Sequence, residues 1–167
     1  QALQDKKIDV ALIESPVIEE GLIYREWVDD ELIVVSSKQI KKNLVADDLL
    51  EFDWICRNED SHTRKLTAEA FEEIGVQCNH FNVIGILAST TAIKESIVRA
   101  DKNSKKPLVS IMSRHAVQTE IDNGTLFEAK LKNHKMSRKL FIAYSKERKH
   151  DAFVDNVVNY LLSLHKL

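Results

Sequence analysis

The chain has 167 residues, 44% of them hydrophobic and 30% charged, with a formal net charge of −2. That length can bury a real core, in one domain or two small lobes. The near-neutral balance argues against nucleic-acid binding by these residues alone, since such domains carry a basic excess, and no apolar run approaches the ~20 residues that span a membrane. Cys56 and Cys78 stand apart, without CxxC or metal-ligand spacing, and read as reduced thiols of a cytoplasmic protein. The opening QALQDKK is neither a signal nor a transit peptide. It starts without Met inside a polar, helix-favouring segment, so the chain reads as a piece of something longer.

Ala2, Leu3 and Ile8 suggest the end of a helix. Asp9 leads into residues 10–13, a continuous apolar run of the kind buried in parallel sheets, and Pro16, which cannot donate to a ladder, stops it. After Gly21 the stretch 22–28 is extended. A polar break at Asp29-Asp30-Glu31 precedes a second run, 32–35, and two strands joined almost without a turn imply one ribbon passing between two lobes. Residues 36–48 read as polar and irregular, with a short helix around 47–50. Trp54-Ile55-Cys56 is a brief strand and Arg57-Asn58-Glu59-Asp60 a charged loop. Ser61 then caps a helix with Leu66, Ala70 and Ile74 on one side and Gly75 at its C-terminal cap.

Residues 82–98 organise the rest. The apolar run 83–87, carrying Gly85, turns through Ala88-Ser89-Thr90-Thr91 into a pattern with Ala92, Ile93, Ser96, Ile97 and Ala100 on one side. That is a strand, a hydroxyl-rich turn and a helix. A helix beginning just past a strand's carboxyl end aims unpaired N–H groups and a favourable dipole at an anion. The plainer reading of such hydroxyls is that they only cap the helix.

Further on, 101–106 is a charged loop closed by Pro107, 108–112 a buried strand, 114–121 a helix and Asp122-Asn123-Gly124 a turn. Residues 126–131 and 140–144 are the last strands, separated by a basic stretch with Lys130, Lys132, Lys135, Arg138 and Lys139 that reads as a solvated edge. A final helix starts at Asp151 and places Phe153, Val157, Tyr160, Leu161 and Leu164 on one stripe. Strands alternating with helices make the chain α/β, with a mostly parallel sheet or two of them.

Catalysis finds no support. The four glycines form no phosphate-cradling loop, there is no G-x-S-x-G elbow, and the six histidines lie in polar settings without ligand spacing. Catalytic and metal residues are therefore expected to be none, and no cofactor is expected. Binding fares better, because three strand ends deliver polar residues into loops: Glu14-Ser15, Arg57-Asn58 leading to Ser61, and Ser89-Thr90-Thr91. Ligands of open α/β sheets sit at such ends. Arg57 and Arg64 offer forks for a carboxylate or phosphate, although an intrahelical or structural contact is the favoured role for Arg64.

The order DKKIDVALIES, GLIYREWVDDELIVVSS, DWICRNEDSHTRKLTAEAFEEIG, ASTTAIKESIV, LVSIMSRHAV, NGTLFEA and SRKLFIAYSKE resembles the effector-binding domain of LysR-type transcriptional regulators from end to end. The resemblance implies a two-lobed, type II periplasmic-binding-protein-like α/β fold hinged by two crossover strands. Residues 1–30 and 143–167 would form the first lobe, incomplete at its start, and 31–142 the second. A small-molecule effector would bind in the interlobe cleft, and a helix start, Ser89, Thr90 and Arg57 converging there make a small anion the expected class. Position by position, the resemblance gives Ser89 and Thr90 as the hydroxyl turn that contacts the effector, Ser15 after the first-lobe strand, and Arg57 ending a second-lobe strand. Ser61 at the Ser-x-x-Arg helix start and Ser36 at the end of the outgoing crossover complete the set. It further implies a homodimer or tetramer, a cytoplasmic location, no membrane contact, and DNA binding only through a winged helix-turn-helix preceding this segment. The family's short "a-G-x-G-i-a" turn is replaced here by the longer charged loop 101–107. A periplasmic-type solute-binding protein is the alternative on the same fold.

Overall fold

The computed structural model describes residues 2–14 and 19–164. In chain order the elements are β1 (Val10–Ile13), β2 (Leu22–Ser36), β3 (Asn43–Leu44), α1 (Ala46–Leu50), β4 (Asp53–Arg57), α2 (His62–Glu73) and β5 (Asn82–Leu87). They continue with α3 (Thr90–Val98), β6 (Leu108–Ser113), α4 (Gln118–Asp122), β7 (Phe127–Leu131), β8 (Ser137–Ser145) and α5 (Ala152–Ser163). Two compact units result, residues 1–30 with 138–167, and residues 31–137. The chain passes from one to the other along β2 and again at the start of β8.

In the first unit, residues 2–7 form a turn in which Ala2 O accepts from Lys7 N at 3.0 Å and Leu3 O from Lys6 N at 3.2 Å, with Lys6 at φ +55°. That double closure through a left-handed residue is how helix C-termini end. β8 lies between β1 and β2, and β1 is antiparallel to it, with Val10 opposite Tyr144 and Ile13 opposite Phe141. The run 10–13 is therefore not a buried parallel strand: α5 packs over Val10 but leaves Leu12 51% exposed.

α5 begins where Asp151 Oδ1 accepts from Phe153 N at 3.0 Å and Val154 N at 3.2 Å. Its core face is Val154 and Val158, set against Ile142 and Tyr144. The stripe expected from the sequence is rotated, since Phe153 and Tyr160 are more than 60% exposed and only its Leu161 reaches the core. The helix carries apolar residues on two sides, so periodicity does not choose between them. Docking does, and Trp27 Nε1 donates to Leu161 O at 2.9 Å.

The polar break at 29–31 does not interrupt β2, which is one strand from Leu22 to Ser36. Asp30 is 1% exposed and accepts from Arg138 Nε at 2.8 Å, and the same guanidinium reaches Glu14 at 2.8 Å. Arg138 thus belongs to strand β8 as a buried cation on two carboxylates, not to a solvated edge.

In the second unit β4 is parallel to both β5 and β6, whereas β2 runs against β6 and β7. The sheet is mixed rather than mostly parallel, because β2 enters it in the opposite direction. Both faces are covered, which is why residues 32–35 are apolar without alternation. Leu32 and Val34 join Leu49, Trp54, Phe71 and Phe81 on one face. Ile33 and Val35 join Ile93, Ile97, Met112 and Leu126 on the other. Trp54 satisfies its indole N–H on Leu49 O at 2.9 Å and stacks on Phe81 with centroids 5.0 Å apart. α2 ends at Gly75, whose φ of +79° lets Val76 N close on Phe71 O at 2.9 Å; a β-carbon disfavours that conformation. The expected helix over 114–121 opens instead as a 3₁₀ turn, His115–Val117, before α4. The charged loop 101–107 is held by Lys38 Nζ on Ser104 O at 2.7 Å and by Asp53 N on Pro107 O at 3.0 Å.

Candidate functional site

Parallel pairing puts the carboxyl ends of β4, β5 and β6 on one edge of the 31–137 unit. Arg57 ends β4 opposite Leu87 of β5, so the turn after β5 arrives beside it. Arg57 NH1 donates to Thr90 Oγ1 at 2.8 Å. Ser89 is the N-cap of α3: its Oγ accepts from Ala92 N at 3.3 Å and its carbonyl from Ile93 N at 3.1 Å. The N–H groups of Thr90 and Thr91 occupy the first turn, where a helix offers no internal acceptor. The dipole of this nine-residue helix adds partial positive charge at the same place.

Arg57 is half-buried and forms no ion pair with a carboxylate among the described residues, and its buried Nε has no hydrogen-bond partner. A guanidinium held by a hydroxyl at a helix start, without a counter-charge, is suited to a carboxylate or phosphate. Ser61 stands close in the chain but is occupied as the cap of α2, its Oγ accepting from Arg64 N at 3.1 Å.

Ser36 is not brought to this edge. It lies opposite Val109 at the start of β6, and Val109 lies opposite Trp54. It therefore sits at the amino ends of the parallel strands, roughly 10 Å below the level of Arg57 at ~3.3 Å per residue. It is also fully buried, with its Oγ accepting from Lys38 N at 3.1 Å. The antiparallel β2–β6 pairing sends the end of β2 away from Arg57 and Thr90, so the structure does not bring Ser36 together with them. Ser15 lies outside the described residues.

Beneath Arg57, burial pushes the Cys56 thiol up, with Arg64 only partly opposing it, and burial also raises Cys78. Both stay protonated near neutral pH and are poor nucleophiles. Among the described residues no three His, Cys, Asp or Glu side chains converge to hold a metal, and no helix is long and apolar enough to cross a membrane. Arg64 forms no ion pair with a described carboxylate and acts instead on the Cys56 thiol, a structural contact rather than an intrahelical pair. Together with Arg57 and Ser110 it lines a cavity. Ser110 is 1% exposed and went unnoticed in the sequence, where a lone hydroxyl between Val109 and Ile111 was its only signal.

An α/β chain in two compact units, with an uncompensated guanidinium and a helix start meeting at parallel strand ends, has the parts of a small-ligand-binding module. The family model for the LysR substrate binding domain matches residues 1–165. The chain belongs to that family of transcription-regulator effector-binding domains, with its type II periplasmic-binding-protein-like fold. A probable RuBisCO transcriptional regulator of Trieres chinensis is 29% identical over 166 residues, covering 94% of this chain and 52% of that protein. The chain thus spans about half the length of such curated relatives. The regulatory domain of Synechocystis CcmR, solved in complex with 2-PG, superposes with a TM-score of 0.77 at 21% identity, covering 99% of this chain and 77% of that one. The effector-binding domain of QuiR in complex with shikimate gives a TM-score of 0.73 at 17% identity over 98% of this chain and 74% of that one.

Proposed function

We propose that this chain is the ligand-sensing part of a LysR-type regulator and that its effector is a small anion. The observation that carries the anionic reading is Arg57, held on Thr90 at the start of α3 with no carboxylate to neutralise it among the described residues. Thr90 keeps the guanidinium in place, the α3 N–H groups and Ser89 complete the donor set, and Ser61 and Ser15 are assigned to the effector on the resemblance alone. That 2-PG and shikimate, both acids, occupy related domains supports the choice of class. DNA contact is assigned to a winged helix-turn-helix outside these residues, and the regulator works as a dimer or tetramer, as two-fold DNA sites require.

A thermal-shift screen tests the reading, with carboxylates, 2-PG, shikimate, phosphate and sulfur oxyanions set against sugars and amines. A hit at a hundred times its Kd stabilises the folded chain by about 2.7 kcal/mol, and Arg57→Met abolishes the shift. Stabilisation only by neutral or cationic compounds overturns the anionic assignment.

A further inference from the structure

The apolar stripe of α5 is not used up by the fold. Val154 and Val158 pack on Ile142 and Tyr144, while Phe153 and Tyr160 stay 63% and 64% exposed, Leu164 at the C-cap 46% exposed and Val157 half-buried. Residues 152–164 carry Asp155 as their single charge. A helix that is apolar on more than one side is ordinarily covered on each of them. Steps of four, three and four residues from Phe153 through Val157 and Tyr160 to Leu164 form the seam by which one helix packs against another. On the solvent side the seam is bordered by Ala152, Asn156 and Ser163, all exposed and uncharged. Charges beside such a seam are what select an unlike partner helix, and α5 offers none there. With no Lys or Arg between 152 and 164, the helix also lacks the basic face of a membrane-surface helix.

We propose that this stripe is a contact between two copies of the chain, joined antiparallel along α5. The four-three-four spacing reads the same in either direction. A two-fold axis between Val158 and Asn159 therefore sets Phe153 against Leu164 of the second copy, and Val157 against its Tyr160. Every layer pairs an aromatic ring with an aliphatic side chain, and one patch serves both copies, as an isologous contact requires. At ~150–250 Å² per aromatic side chain, the stripe offers roughly 300–400 Å² per copy, so the pair buries less than the ~1,200 Å² of a standard interface. The dimer is accordingly weak and concentration-dependent. This contact deepens the oligomeric reading above by naming its surface, and it is independent of the effector.

Sedimentation equilibrium of the intact 167-residue chain, from micromolar to millimolar concentration, tests the contact. A monomer–dimer equilibrium is expected. Tyr160→Lys and Val157→Glu, each alone, weaken it about 30-fold or more, the effect of losing a central hot spot, while dilute thermal unfolding shows both variants folded. Mixed in equal amounts, the two variants associate again, because the new cation meets the new carboxylate across the axis and the other Val157–Tyr160 layer stays intact. Phe153→Lys with Leu164→Glu, at more exposed positions, repeats the swap in the outer layer. Ile86→Lys, 58% exposed on β5 before substitution, is the control and leaves the equilibrium unchanged. Association that survives the α5 substitutions, or mixtures that recover nothing, overturns the proposal. If Ile86→Lys abolishes association instead, the oligomeric reading stands on the β5 edge and only the α5 contact falls. A chain that stays monomeric at millimolar concentration, with or without binding to anionic lipid vesicles, overturns the α5 contact outright.

Discussion

Arg138 offers the sharpest test of how this fold is held, because one guanidinium at the start of β8 bridges β1 and β2. Its side chain is 9% exposed and that of Asp30 is 1% exposed, whereas Glu14 remains 47% exposed. The two arms should therefore differ in worth. The Glu14 arm is screened by water and contributes about 0–1 kcal/mol, so Glu14→Gln is nearly silent. Arg138→Met removes the guanidinium from a carboxylate that water does not reach, and the cost is about 3–5 kcal/mol. Asp30→Leu leaves Arg138 with Glu14 as a remaining carboxylate, so it should cost less than Arg138→Met. The double variant Asp30→Leu/Arg138→Met replaces the pair with apolar volume, which is often neutral or stabilising, and should recover most of the loss. The indole N–H groups provide the readout: Trp27 donates to Leu161 O in the first unit and Trp54 to Leu49 O in the second. Urea titration of the two indole resonances by heteronuclear NMR assigns each loss to its unit. Arg138→Met within 1 kcal/mol of the native chain, or a double variant as unstable as the single, would refute the reasoning.

Three more expectations follow from individual contacts. Ser89→Ala should weaken a bound effector by about 0.5–1.5 kcal/mol if the hydroxyl contacts it; if the residue only caps α3, stability falls by about 1 kcal/mol and calorimetric affinity is unchanged. The hydrogen bond from Lys94 holds the Glu120 carboxyl below its ordinary 4.5. A depressed folded value means the unfolded chain binds more protons, so this contribution is complete above pH ~4.5 and is lost as pH falls through the folded value; denaturation of Lys94→Met across pH 3–7 should show a shallower acid limb. Ile142→Ala should cost about 2–5 kcal/mol, while Tyr160→Ala, on the outer side of α5, should stay within about 0.5 kcal/mol. Comparable losses in both would put Tyr160 back on the core face expected from the sequence.

The ends of elements were the most legible part of the chain because their chemistry is local. Ser61, Ser89 and Asp151 cap the helices they precede, and Gly75 takes the left-handed turn, as each residue's short side chain or missing Cβ dictates. What required the fold was anything settled by partners distant in sequence. The apolar run at 10–13 carries no mark of strand direction, and only its pairing with β8 makes it antiparallel and half-exposed. Ser36 has the same local signature as the other serines, and only the run of β2 against β6 carries it to the far edge of the sheet. Asp30 read as a break because a carboxylate in a strand is normally solvated; its partner lies 108 residues away. The candidate site divides along the same line. Thr90 and Ser89 could be named from the strand–turn–helix pattern alone, and Arg57 from its place at a strand end. That Arg57 is held by Thr90, 33 residues on, is fixed by the β4–β5 register. That Arg64 lines a pocket together with it, beside Cys56, Thr67 and Ser110, is likewise fixed by the fold. A charge without a counter-charge is invisible to sequence reading, where Arg57 and Arg64 both have acids within a few residues. In the folded chain it becomes the feature that tells a binding surface from a structural one.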